Sequence, residues 1–190
     1  MSDPDPRSDQ ELVQAANRAD ADAFEAIYLR YRDWTFRLAY RFTRNEQDAL
    51  DVLQDAFAYL LGKFPGFALT ARMTTFLYPV VKHIALAKRR RRQVALSDEE
   101  MLAVVNGSAA ASGAVPSPIG PEAERSELAE ALGALNEAQR EVLLMRFLDA
   151  MSLAEIAQTL GIPLGTVKSR MHHGLETLRA DPRARRYFEP

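Results

Sequence analysis

Apolar residues recur every three or four positions through two long stretches of the chain, with polar residues filling the places between. That spacing is the mark of helices with one face turned to a core. Over 21–43 it sets Phe24, Ile27, Tyr28, Tyr31, Trp34, Leu38 and Phe42 along one side, behind a cap at Asp20 or Asp22. A second helix is predicted over 46–62, after the cap residue Asn45, burying Leu50, Val52, Leu53, Phe57 and Leu60. The FPGF turn at 64–67 stops it. A third begins near Thr74 and runs through Phe76, Leu77, Val80, Val81 and Ile84 into four consecutive arginines, with Pro79 inside it. A proline there removes one backbone bond and kinks the axis.

The stretch GSAAASGAVPSPIGP at 107–121 has no periodic apolar residues and is rich in Gly, Ser and Pro, so it reads as a flexible linker. Beyond it the spacing predicts helices over 122–133, 137–147, 153–160 and 164–179. Ser152 followed by Glu155 is a capping box ahead of an apolar run. No sustained alternation or hairpin dipeptide argues for strands. The fold class is therefore all-α, as two small helical domains joined by a linker.

Composition narrows the picture. The 190 residues are 47% hydrophobic, ordinary for a folded chain, and include no cysteine. Disulfide scaffolds, thiolate zinc sites and thiol nucleophiles are thereby excluded. No segment approaches the run of about 18–20 apolar residues that a membrane helix needs. The acidic start MSDPDPRSDQ is unlike a signal peptide, so a cytoplasmic location is expected, without membrane insertion. The net charge of −2 hides an uneven distribution: residues 1–92 carry 15 Lys+Arg against 12 Asp+Glu, 93–125 carry 1 against 5, and 126–190 carry 8 against 9. Cation clustering matters more for phosphate binding than the average does, which draws attention to AKRRRRQ at 87–93.

The stretch LGIPLGTVKSRMHH at 160–173 sets Gly161, Pro163 and Gly165 at the start of an otherwise helical segment. Gly161 is able to end one helix in the left-handed conformation, and Pro163 has its φ preset for the start of the next. With small Ala157 admitting a close crossing, 153–160 and 164–179 make a helix-turn-helix pattern. Projected at about 100° per residue, the second helix turns Leu164, Val167, Met171, Leu175 and Leu178 inward. Gly165, Thr166, Ser169, His172, His173 and Glu176 face outward, flanked by Lys168 and Arg170. Such a face suits a major groove, which takes hydrogen-bonding side chains near a helix N-terminus with cations on either side. A solvated outer face is the plainer reading of the same residues. The adjacent His172 and His173 diverge around a helix and lack the spacing of a metal pair, so no metal and no cofactor are expected.

The string LAEIAQTLGIPLGTVKSRMHHGLETLR, with ALGALNEAQREVLLMRFLDAMSLAEIA ahead of it, resembles the last module of bacterial RNA polymerase sigma factors of the extracytoplasmic-function (ECF) group. DAFEAIYLRYRDWTFRLAYRFTRNEQDALDVLQDAFAYLLGKF resembles their first domain. The resemblance implies a protein that binds core RNA polymerase and directs promoter-specific initiation. It further implies a division into a tail over 1–19, a polymerase and minus-ten domain over 20–92, a linker over 93–123, a minus-thirty-five domain over 124–180 and a tail over 181–190. Lys168, Ser169, His172 and His173 would then face base edges, with Thr166 and Arg170 on phosphates. Asp48, Asp51, Gln54 and Asp55 would meet the polymerase's basic clamp helices, although such a stripe is equally a solvated helix face. Phe67, Arg72, Phe76 and Tyr78 would line a pocket for an unstacked base, although aromatic residues at this spacing also make cores. Lys82, His83, Arg89, Arg90, Arg91 and Arg92 complete the expected minus-ten surface.

The chain departs from the family's commoner pattern at Phe76, where tryptophan is usual, at His83, where asparagine is usual, at Ala87, where an acidic residue is usual, and at His173, where arginine is frequent. The resemblance also implies an anti-sigma partner and a monomer when free of partners. The acidic SDEE at 97–100 is a candidate mimic of nucleic acid in the polymerase channel. The alternative is a stand-alone helix-turn-helix regulator that binds an operator while its N-terminal half senses a ligand. An enzyme is not expected, since neither an HExxH pattern nor a glycine-rich phosphate loop occurs.

Overall fold

The computed structural model describes residues 5–106 and 129–185, and over 95–106 the backbone alone. Every regular element among the described residues is a helix. The chain divides into two compact units, Met1–Ala114 and Val115–Pro190. Parts of the predicted linker and of the predicted 122–133 helix lie outside the described residues, as do the side chains of the SDEE segment and the tail after residue 185.

Four helices build the first unit: α1 (Asp9–Ala16), α2 (Ala21–Thr43), α3 (Glu46–Leu61) and α4 (Met73–Asn106). The predicted bounds of α2 and α3 hold to within one residue, and both caps are in place: Asp20 accepts from the Ala23 N–H, and Asn45 from the Asp48 N–H. Pro79 lies inside α4 on its exposed side, and the helix continues past it. Leu50, expected in the core, is 38% exposed because it falls off the stripe formed by Ala49, Val52, Leu53, Ala56, Phe57 and Leu60.

Two expectations fail here. Residues 9–16 are not tail: Ser8 and Glu11 close a full capping box, and Leu12 and Val13 enter the same core as Ile27, Phe57, Leu60 and Leu77. Nor does the linker begin at 93, because α4 runs on to Asn106. Nothing between Pro79 and Gly107 breaks a helix, and Ala, Leu, Glu and Arg favour one.

The second unit comprises α5 (Glu137–Phe147), α6 (Leu153–Leu160), α7 (Leu164–Ala180) and α8 (Pro182–Arg185), with residues 129–133 also helical. Its core gathers Ala131, Leu135, Leu143, Leu178 and Ala184. Arg140 clamps the turn before α5 by donating to the carbonyls of Leu132, Gly133 and Leu135 at 2.7–3.0 Å. Arg183 fixes the short α8 by bonding Asp181 and Glu130, and its hydrogen bond holds the Asp181 carboxyl down at about 2.

Candidate nucleic-acid interface

The corner between α6 and α7 is built as its residues require. Ser152 accepts from the Glu155 N–H at 3.2 Å while Glu155 accepts from the Ser152 N–H at 2.7 Å, closing the start of α6. Gly161 ends it at φ +64°, where a Cβ is strained. Pro163 then stands at the N-cap of α7, and its carbonyl accepts from the N–H groups of Thr166 and Val167.

On α7, Val167, Gly174 and Leu178 are buried, and Met171 and Leu175 pack half-buried against the core. Leu164, projected inward, is instead 41% exposed at the first position of α7. Lys168, Ser169, His172 and His173 stand exposed together, with Thr166 and Arg170 half-buried beside them. All six residues expected to meet DNA therefore lie within the first ten positions of one helix. Gly165 is exposed, with no atom near the place of a Cβ, so its backbone is open to close approach.

Two contacts of α7 have no trace in its spacing. Glu176 sits between the imidazoles, 3.3 Å from His172 Nε2 and 3.3 Å from His173 Nδ1, so a carboxylate lies on the face expected to meet DNA. Both pairs are exposed, so their worth in stability is small. Gly174 marks a close approach of α7 to α5: a Cβ there would stand 2.9 Å from Leu143 Cδ1. Ala157, expected at the crossing of α6 and α7, is half-buried; the close approach to α5 at Gly174 was not expected. A lone glycine in mid-helix was the available signal.

In the first unit the aromatic side chains form a chain of rings. Phe64 meets Phe67 at 5.5 Å, Phe67 meets Phe76 at 4.8 Å, and Phe76 stacks on Tyr59 at 6.4 Å with an interplanar angle of 19°. Lys63 places its amino group 4.4 Å from the Tyr59 ring centre. Phe67 and Phe76 are half-buried, and Tyr59, which sequence reasoning did not select, is 45% exposed. Tyr78 does not join them. It is 1% exposed, edge-on to Phe42 at 6.3 Å, so it belongs to the core and has no face to offer a base. Arg72 and His83 are exposed, and Lys82 is half-buried with its amino group 6.0 Å from the Phe42 ring.

The acidic stripe on α3 and the basic end of α4 face each other. Lys88 bonds Asp51, and Arg92 Nη1 bonds Asp48 Oδ2 at 2.9 Å. The hydrogen bond from Lys88 holds the Asp51 carboxyl below its ordinary range. Asp48, Asp55, His83, Lys88, Arg91 and Arg92 line a cleft of about 560 Å³ between the helices. Gln54, Asp55, Arg89, Arg90 and Arg91 are exposed. Arg92 is exposed as well, and Arg91 and Arg92 of the run line the cleft toward α3, where Arg92 pairs with Asp48.

Comparison with known proteins bears on both units. Residues 27–94 match the family described as Sigma-70 region 2, and residues 125–178 the one described as Sigma-70, region 4. The RNA polymerase sigma-H factor of Pseudomonas aeruginosa is 32% identical over 188 residues, spanning 90% of this chain and 91% of that protein. The ECF RNA polymerase sigma factor SigW of Bacillus subtilis is 28% identical over 173 residues, spanning 88% and 92%. Among solved structures, CnrH in complex with the cytosolic domain of CnrY has a TM-score of 0.63 at 22% identity, covering 90% of this chain and 95% of that one. The sigma factor RpoE in complex with the anti-sigma factor NepR from Bartonella quintana has a TM-score of 0.61 at 19% identity, covering 82% and 94%.

Proposed function

The chain belongs to the ECF group of RNA polymerase sigma factors, and on that premise we propose how its residues share the family's work. It binds core RNA polymerase and directs promoter-specific initiation, and it is not an operator-binding regulator acting alone. It supplies no covalent chemistry, which is the polymerase's. Its place is the cytoplasm, where template and polymerase meet. Among the described residues no helix is long and apolar enough to cross a membrane.

The second unit reads the minus-thirty-five element with α7. Lys168, Ser169, His172 and His173 face base edges, while Thr166 and Arg170 hold phosphates on either side. The exposure of Lys168, Ser169, His172 and His173 near the start of the helix that follows the Gly161 corner, with Thr166 and Arg170 beside them, is the observation that carries this reading. In the first unit Phe67 and Phe76, with Arg72 at the rim, take up an unstacked base of the minus-ten element. Stacking of this kind is worth about 1–3 kcal/mol per base. Arg89, Arg90 and Arg91 follow phosphates upstream of it, with Lys82 and His83 on the same helix.

Asp48, Asp51, Gln54 and Asp55 form the polymerase-docking stripe. Asp48 and Asp51 exchange Arg92 and Lys88, their partners within the unit, for cationic partners on the polymerase. An anti-sigma protein, of the kind bound to the Bartonella quintana sigma factor, is the expected inhibitor, and the chain free of partners is expected to be a monomer.

Mixing the chain with core polymerase tests this division. Lys168→Ala combined with His173→Ala weakens initiation at promoters that need the upstream element and leaves core affinity unchanged. Loss of core binding with intact DNA binding would reverse the assignment.

A further inference from the structure

The loop that carries Phe67 is held by a residue from outside the family-matched segment. Asn17, the C-cap of α1, uses its whole carboxamide on it. Its Oδ1 accepts from the Gly66 N–H at 2.7 Å and from the Phe67 N–H at 3.0 Å, and its Nδ2 donates to the Phe67 carbonyl at 2.8 Å. One side chain thus satisfies both backbone groups of Phe67 across 50 residues of sequence. Gly66 sits at φ +104°, so the loop reaches these bonds through a conformation that side-chain-bearing residues rarely adopt.

The platform that presents Asn17 is itself fixed. Asp9 on α1 takes a hydrogen bond from the Tyr31 hydroxyl and another from Arg30 Nη1 at 2.6 Å. Arg30 also donates to the carbonyls of Asp5 and Arg7 at 2.9 and 2.8 Å. Leu12 and Val13 lock the middle of α1 into the core. The helix is therefore anchored at its start and along its length, and its last side chain reaches the loop.

We propose that Asn17 is a positioning residue for promoter opening: its three bonds set where the Phe67 ring stands, so the α1 segment takes part in capturing the unstacked minus-ten base. This rests on the reading that Phe67 and Phe76 take up such a base. A ring presented for stacking acts at full strength only when its backbone is already fixed, since loop ordering otherwise subtracts from the binding free energy.

The test uses the full chain in reconstituted holoenzyme, with opening followed by permanganate reactivity of thymines in the minus-ten region. Asn17→Ala is expected to slow opening roughly tenfold, the equivalent of one or two net hydrogen bonds, without changing core affinity. Asn17→Asp, which keeps the acceptor for the two N–H groups and loses the donor to the Phe67 carbonyl, is expected to fall between. The double variant with Phe67→Ala is expected to open no more slowly than Phe67→Ala alone, because Asn17 acts through that ring. Equal slowing by Asn17→Ala in both backgrounds would mean a general loss of stability and would overturn the proposal. If Phe67→Ala slows opening while Asn17→Ala does not, the positioning role falls and base capture stands. If Phe67→Ala itself opens at the normal rate, base capture falls, and the positioning role with it.

Discussion

Replacing Leu12 by Ala distinguishes an N-terminal helix that belongs to the first unit from a tail laid along it. Leu12 is fully buried, and its neighbour Val13 is 3% exposed within the same cluster. A Leu→Ala change at such a site removes the transfer free energy of the lost methyl groups and leaves a cavity, together costing about 2–5 kcal/mol. For a unit of this size each kcal/mol lowers the melting temperature by roughly 4–8 °C, so a drop of roughly 8–40 °C is expected. Trp34 is the sole tryptophan and lies on α2 in the first unit, so its fluorescence follows that unit without interference from the second. Leu29→Ala is the control: that side chain is 48% exposed, and such a surface change is expected to stay within about 0.5 kcal/mol. A melting curve for Leu12→Ala that overlies the wild-type curve would refute the packing of α1 and remove the platform on which Asn17 stands.

Gly161→Ala strains a residue held at φ +64° and is expected to destabilise the second unit by about 1–2 kcal/mol, read as faster amide exchange across α5 to α7. Gly174→Val forces branched atoms against Leu143, whose Cδ1 lies only 2.9 Å from the new Cβ, and is expected to cost about 1–3 kcal/mol by the same readout. Gly174→Ala is expected to be close to neutral, since helix propensity returns up to about 1 kcal/mol against the closer contact. The Asp51 carboxyl is lowered from 3.8 by the hydrogen bond from Lys88, so its contribution is present above that value and lost as pH falls through the lower folded one. Wild type and Asp51→Asn should therefore differ in Trp34-detected stability at neutral pH and converge in acid. A difference that persists at the lowest pH would locate the effect elsewhere.

What the sequence made legible was what local chemistry decides. The caps Asp20, Asn45 and Ser152, the stop at Gly161 and the apolar spacing of α2 and, past Leu164, of α7 each act within a few residues, and the structure has them where that chemistry puts them. What it concealed depends on partners far along the chain. The α1 helix offers only Leu12, Val13, Ala15 and Ala16 to a core, and its Ser8–Glu11 capping box was the overlooked signal. Tyr78 and Phe76 are two positions apart on one helix, yet one is buried against Phe42 and the other lies in the ring chain with Phe67. Two positions apart on a helix they point about 200° apart, so periodicity separates them, but which of the two the core takes is set by α2 and by the loop. The pairing of Asp48 with Arg92 and of Asp51 with Lys88 likewise spans 44 and 37 residues and has no local trace.

The central claim is that one chain, docked on polymerase, grips two separate promoter elements with two helices. Because the chain has no cysteine, a single introduced thiol takes a DNA-cleaving label at one place only. Gly165→Cys at the exposed start of α7 and Gln93→Cys beyond the arginine run are both open to such a label. In complexes with core polymerase on promoter DNA, the label at residue 165 is predicted to cut at the minus-thirty-five element and the label at residue 93 just upstream of the minus-ten element. Both cuts should vanish without the polymerase. Cutting at one shared position, or equally strong cutting by the chain alone, would contradict the account.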